Sequence, residues 1–166
     1  MAQATTKDWL DGIQKGLLKQ LTENRGALPK GFNQDRFILN SITVIRDMLR
    51  DNKKKKQLQE IDYTSIPICL AKGAFLGLDF FNGECYAIPY GGEMKFQTDY
   101  KGEIKLCKRY SKNEIKDIFA KVVREGDFFE ESVDSGVQNV VYKPLPFSNK
   151  PLVGAFAIVV FKDGSM

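Results

Sequence analysis

Between Lys7 and Asn24 apolar residues return at every fourth position, as Trp9, Ile13, Leu17 and Leu21, with Leu10 and Leu18 beside them. That period predicts an amphipathic helix, stopped by Gly26. After the loop Ala27-Leu-Pro-Lys-Gly31, Asn33 is an N-cap candidate for a second helix. Its apolar face is Phe37, Ile38, Ile42, Ile45, Met48 and Leu49, and it fades into Asp51-Asn52. Lys53 to Lys56 reads as a solvated linker, with phosphate contact as the alternative. A third helix starts near Thr64 or Ser65, with Pro67 tolerated in its first turn, and runs through Ile68, Leu70, Ala71 and Phe75 to a turn at Gly77.

From Glu84 the period shortens to that of strands. Cys85 to Tyr90 and Glu93 to Thr98 flank Gly91-Gly92, a tight-hairpin signal, and Met94 and Phe96 alternate with Lys95 and Gln97. Glu114 to Glu125 sets Ile118, Ala120 and Val122 against Phe119, Lys121 and Val123, the pattern of a strand covered on both faces. Glu125-Gly126-Asp127 turns the chain. Val137 to Tyr142 and Leu152 to Phe161 are further strands, and Asp163-Gly164 is a hairpin signal with no returning strand after it. Leu152 to Phe161 therefore needs a partner elsewhere: flanking strands, another subunit, or chain missing from a shortened polypeptide. The last two together are the expectation.

Tyr100 to Lys112 carries the physical argument for function. With Tyr100 at zero and about 100° per residue, a helix places Lys108, Lys101, Lys112, Lys105 and Arg109 in one arc between about 80° and 180°. Leu106, Tyr110, Cys107, Tyr100 and Ile104 take the other side, so Tyr100 reads as core rather than as a stacking platform. No acid relieves the basic arc, because Glu103 falls across the cylinder. The arrangement suits a polyanion, although a lysine-rich solvent face would produce the same pattern.

Composition narrows the chemistry. The chain has 166 residues, 43% hydrophobic and 28% charged, the balance of one soluble globular domain. No apolar run approaches the roughly 20 residues needed to cross a bilayer, and Met1 to Asp8 lacks the apolar stretch of a secretory signal, so a cytoplasmic location is expected. The net charge is +4, yet from Lys95 to Arg124 nine Lys or Arg face four Asp or Glu. This one segment exceeds the charge of the whole. Histidine is absent, which removes the commonest general base and the usual nucleophilic triads. Cys69, Cys85 and Cys107 lie in apolar surroundings at wide spacing and read as buried free thiols. No Gly-x-x-x-x-Gly-Lys-Ser/Thr loop is present, and Gly91-Gly92 is a turn rather than a nucleotide loop.

Six pieces in fixed order carry a resemblance. Ala27-Leu-Pro-Lys30, Leu76-Gly-Leu-Asp79, Tyr86-Ala-Ile-Pro-Tyr-Gly91, Tyr100-Lys-Gly102, Leu106-Cys-Lys-Arg109 and Val122-Val-Arg-Glu-Gly-Asp127 together resemble the RecT family of phage single-strand annealing proteins. The likeness spans most of residues 27 to 127. It implies ATP-independent binding of single-stranded DNA, pairing of complementary strands into annealed duplex, and assembly into rings or helical filaments with a groove running across subunits. It also implies a 5'-3' exonuclease partner and a host single-strand binding protein. Carried over by position, the family's basic residues fall on Lys101, Lys108, Arg109 and Arg124, whereas Lys105 stands where the family's pattern carries an acid. The family continues through a helical, basic C-terminal portion, so a truncated form is expected.

Two other classes fit parts of the chain. Asp99, Glu114 and Lys116 resemble the minimal kit of a magnesium-dependent nuclease, with Glu103-Ile-Lys105 as a second Glu-x-Lys, though Asp99 and Glu103 are too close for strand-borne carboxylates. The basic face would also suit an interaction module that meets an acidic protein. Steep salt dependence separates phosphate binding from these.

The expected fold is α+β: N-terminal helices packed on a mainly antiparallel sheet, with a basic helix after a β-hairpin. Residues 1–166 are read as one domain, with 1–62 a helical part and 63–166 an α/β core. The candidate DNA-binding set is Tyr100, Lys101, Lys105, Lys108, Arg109, Lys112, Lys121 and Arg124. No cofactor and no catalytic residue are expected, with Mg2+ at most a counterion to DNA.

Overall fold

A computed structural model describes residues 6–164. The architecture is α+β, with helices first and antiparallel strands after, and the chain divides into two compact units, Met1–Leu106 and Cys107–Met166. A boundary at residue 62 would fall inside the first unit.

In the first unit, α1 (Thr6–Glu23) turns its four-residue stripe inward, burying Leu10, Ile13, Leu17 and Leu21. A short 3-10 turn, Arg25–Ala27, follows, so Gly26 sits within a tighter continuation rather than at a stop. In α2 (Gln34–Arg50) the side chain of Asn33 accepts the Arg36 N–H at 2.9 Å and caps the helix as its sequence signals. The central element is α4 (Ser65–Leu76), buried along Ile66, Cys69, Leu70, Ala71 and Ala74, and ended by Gly77 in the left-handed region at φ 62°. Only glycine adopts that conformation without strain. It packs against α1, β1 (Cys85–Tyr90) and β2 (Glu93–Thr98). Two hydrogen bonds tie the α4 entry to the hairpin: the Gly92 carbonyl accepts the Asp62 N–H at 2.7 Å, and Ser65 Oγ accepts the Met94 N–H at 2.8 Å.

The lysine run departs from expectation. Lys53 to Lys56 lie in a helix, α3 (Asn52–Gln59), rather than in a linker. Asp51 causes this, because its carboxylate accepts the N–H of Lys53 at 2.9 Å and of Lys54 at 3.1 Å while Leu58 anchors the far end in the core. The residue read as the fading end of α2 is thus the start of α3. Those hydrogen bonds hold the Asp51 carboxyl below its ordinary pKa.

The second unit is made of two ribbons. β3 (Ile115–Arg124) pairs antiparallel with β6 (Leu152–Phe161), and β4 (Phe128–Asp134) with β5 (Val137–Lys143). With β1–β2 the sheets among the described residues number three, each of two strands, in place of one larger sheet. β4 was not expected, since Glu130-Glu131-Ser132 interrupts its apolar pattern; Ser135-Gly136, both at positive φ, makes its turn. A strand covered on both faces was expected at 114–125, yet Val123 is its only buried residue. β6 finds β3 as its partner and stays largely exposed or half-buried. The ribbons are joined by Phe129 and Tyr142 against Phe156, at ring separations of 5.3 and 5.2 Å.

The thiols also divide. Cys69 and Cys85 are buried, and burial pushes both up to about 12, whereas Cys107 is exposed, contrary to expectation. Among the described residues no helix is long and apolar enough to cross a membrane.

Candidate nucleic-acid interface

The helix expected after the hairpin is α5 (Tyr100–Tyr110), but it docks by a different side from the one its hydropathy suggests. Its one buried residue is Gly102. A Cβ there would collide with the Glu84 carbonyl and press on Leu78, so the missing side chain sets how closely the helix approaches. Glycine carries no hydropathy signal, and of the apolar arc Leu106 packs against the core while the two tyrosines do not. Tyr100, read as core, is 67% exposed, and Tyr110 equally so.

Rotating the helix sorts its cations. Lys105 lies beside the docking face and donates to both carboxylate oxygens of Glu84, at 2.9 and 2.7 Å. Glu84 also accepts the Asp79 N–H, and Asp79 accepts from Asn40 of α2. Lys105 is therefore a strut between α5 and the 79–84 turn. Lys101 and Lys108 are exposed, as is Arg109, whose guanidinium lies over the Tyr110 ring at 6.0 Å. Lys112 follows the end of α5, outside the arc that a longer helix would have continued.

Two further candidates lie on β3. Lys121 is exposed on β3, but Arg124 is half-buried and donates to the Lys150 carbonyl at 2.7 Å. Its neighbours explain the Arg-Glu-Gly-Asp piece of the family pattern structurally. Gly126 turns at φ 85°, and the Asp127 carboxylate accepts from Arg124 N, Leu145 N and the Tyr142 hydroxyl. Those donors hold the Asp127 carboxyl below its ordinary value. Arg124 thus positions a loop, and nothing in its geometry presents it to a ligand.

What hydropathy missed is the outer face of β1. Tyr86, Ile88 and Tyr90 alternate with inward Cys85 and Ala87, and all three are exposed, Tyr90 at 73%. The register sets Tyr86 opposite Gln97, Ile88 opposite Lys95 and Tyr90 opposite Glu93, so these six share one face. Lys95 is ion-paired to Glu93 at 2.6 Å. The Tyr86 hydroxyl donates to Asp99 at 3.2 Å, and that carboxylate's charge holds the phenol above its ordinary pKa. Asp99 also accepts the Lys101 N–H in the first turn of α5, and Lys101 Nζ lies 5.9 Å from the Tyr100 ring centre. A firm aromatic surface thus adjoins an unneutralised cation. The alternation was readable, but three large apolar residues at period two imply a core face unless the strand's other face is known to be buried.

Among the described residues no three carboxylate, thiol or imidazole groups come together in a way that could hold an ion. Asp99 is engaged by Tyr86 and the α5 turn, and Glu114 is ion-paired with Lys162 at 2.8 Å.

Compared with known proteins, residues 35–166 match the family model described as RecT family. No curated protein matches the chain.

Proposed function

Because this chain belongs to the RecT family, whose members anneal single strands in phage recombination, we propose that it pairs complementary strands without nucleotide energy. The strand lies on the outer face of β1–β2 and the exposed part of α5. The observation that carries the reading is the outward set Tyr86, Ile88, Tyr90 and Tyr100 with Lys101 beside it. Aromatic faces hold bases of any sequence by stacking, and cations hold the phosphates. Stacking engages the ring face and leaves the Watson–Crick edge open, which annealing of arbitrary sequences requires. Base pairing then supplies the driving force, and the protein lowers the repulsion between strands.

Assembly of several copies belongs to this reading, supported by the many exposed valines of the second unit, with Val133 and Val137 at the tip of one hairpin and Val153 in β6. An exonuclease that produces the strand, a host single-strand binding protein and a cytoplasmic setting complete the proposal. Magnesium enters only as a counterion.

The test is annealing of labelled complementary oligonucleotides without ATP, alongside binding measured over a range of salt. Activity is expected, as is steep salt dependence. Lys101→Ala, Lys108→Ala and Arg109→Ala combined should weaken binding at least tenfold at physiological salt with no change in melting temperature. Unchanged binding in the triple variant would reject this surface.

A further inference from the structure

Four consecutive lysines crowd a helix of eight residues, with Lys53 and Lys56 on one side and acids only at its two caps, Asp51 and Glu60. All four are exposed, and none is ion-paired among the described residues. Their carboxylate neighbour, Asp51, accepts the backbone N–H groups of Lys53 and Lys54 and also feels the charges of both. The helix nevertheless forms, held at its start by that cap and near its end by Leu58. A solvated linker would need neither device.

Placement in the fold adds the second observation. α3 packs beside β1, and the segment leaving it is bonded to the hairpin turn through Asp62 N–H to the Gly92 carbonyl. Tyr90, the most exposed tyrosine of β1, stands at that turn, while Tyr86 and Lys101 stand at the opposite end, linked by Asp99. The helix that carries the four lysines therefore packs beside β1 and leads into its turn end, while Lys101 stands at the other end. β1 spans about 17 Å between its end residues, and Lys56 lies about one helical turn before the end of α3.

From this arrangement we infer that the α3 lysines are a second phosphate clamp, at the hairpin-turn end of the strand that lies along β1. A single strand would lay its bases over Tyr86, Ile88 and Tyr90, with Lys101 holding phosphates at one end and Lys53 to Lys56 at the other. The inference rests on the proposed use of the hairpin face, and it adds a site that neither the basic arc of α5 nor the family match assigns.

The test compares three variants of the full chain for binding of a fluorescent thymidine oligonucleotide, each titrated from low to physiological salt. The first carries Lys53, Lys54, Lys55 and Lys56 all changed to Gln, which keeps helix propensity. The second removes as much charge elsewhere, through Lys15→Gln, Lys19→Gln, Arg25→Gln and Lys30→Gln. The third is Tyr90→Ala with Tyr100→Ala. The α3 variant is expected to bind about tenfold more weakly at physiological salt, with a salt slope shallower by about 0.7 for each phosphate released. The second variant should stay within about twofold, and circular dichroism should report the same helix content in both. Equal losses in the first two would mean that only net charge matters and would overturn the clamp. Loss in the tyrosine variant with none in the α3 variant would overturn the clamp alone, and absence of binding by the unaltered protein would overturn the hairpin reading with it.

Discussion

The two units spend similar side chains in opposite ways. In the first, nineteen of the described residues, from four helices, a hairpin and the turn between α4 and β1, form one buried cluster, from Leu10 to Met94. In the second, β6 reads Leu-Val-Gly-Ala-Phe-Ala-Ile-Val-Val-Phe, the most apolar run in the protein, yet among the described residues there Val123 of β3 is the one buried hydrophobic. The difference lies in layering. A helix such as α4 can be surrounded, whereas a two-stranded ribbon buries at most one face and needs a second layer to do so. Hydropathy tells how badly a segment wants cover, and topology decides whether its own chain supplies it.

The largest expected effect breaks that comparison if it fails. Leu70→Ala, at a site with no exposure, should cost about 2–5 kcal/mol in chemical denaturation, whereas Leu152→Ala in β6 should cost under about 0.5 kcal/mol. A large loss at Leu152 would mean that the second unit is covered in solution. Next comes Gly102→Ala, which sets a methyl group against the Glu84 carbonyl. About 1–3 kcal/mol should be lost from the first unit, with single-strand binding reduced as α5 shifts.

The cations of α5 sharpen the comparison at smaller scale. Lys105→Ala should lower stability by up to about 1 kcal/mol, since its pair with Glu84 is only partly shielded from solvent, while altering single-strand binding less than Lys101→Ala does. Lys101→Ala should weaken binding and leave the melting temperature unchanged. The reverse pairing of effects would place Lys105 in the site and remove Lys101 from it.

The smallest effect is acid sensitivity of the second unit. The Asp127 carboxyl is held below its ordinary 3.8 by the N–H groups of Leu145 and Arg124. A folded-state value below the unfolded one contributes stability that is full above 3.8 and lost as pH falls through the lowered value. Asp127→Asn should therefore flatten the acid limb below about pH 4 in a pH titration of the β-sheet signal. An unchanged limb would dissociate the loop from the hydrogen bonds assigned to it.

Much of this architecture is legible from residue order alone, and the failures have a common cause. The stripe of α1, the Asn33 cap, the Gly77 stop and the Gly91-Gly92 hairpin depend on neighbours within one element, where local chemistry decides. α3 was hidden because Asp51 serves two helices at once, and β4 because acids facing solvent interrupt its pattern. Within the candidate site, side-chain placement departs from expectation wherever the deciding contact is distant in sequence. Lys105 meets Glu84 across 21 residues, and Tyr100 is turned outward by a glycine two positions later. The alternation of Tyr86, Ile88 and Tyr90 stood in the sequence, but assigning it to the outside required knowing that Cys85 and Ala87 face α4.

Trp9, the protein's one tryptophan, lies in α1 with its ring centre 5.7 Å from that of Tyr63, whose hydroxyl donates to the Trp9 carbonyl. Indole emission excited at the red edge of aromatic absorption is therefore an optical gauge of the first unit by itself, blind to melting of the ribbons. Followed together with the backbone dichroism of the strands, it turns any gap between the two unfolding curves into a direct reading of how independently the halves lose their structure.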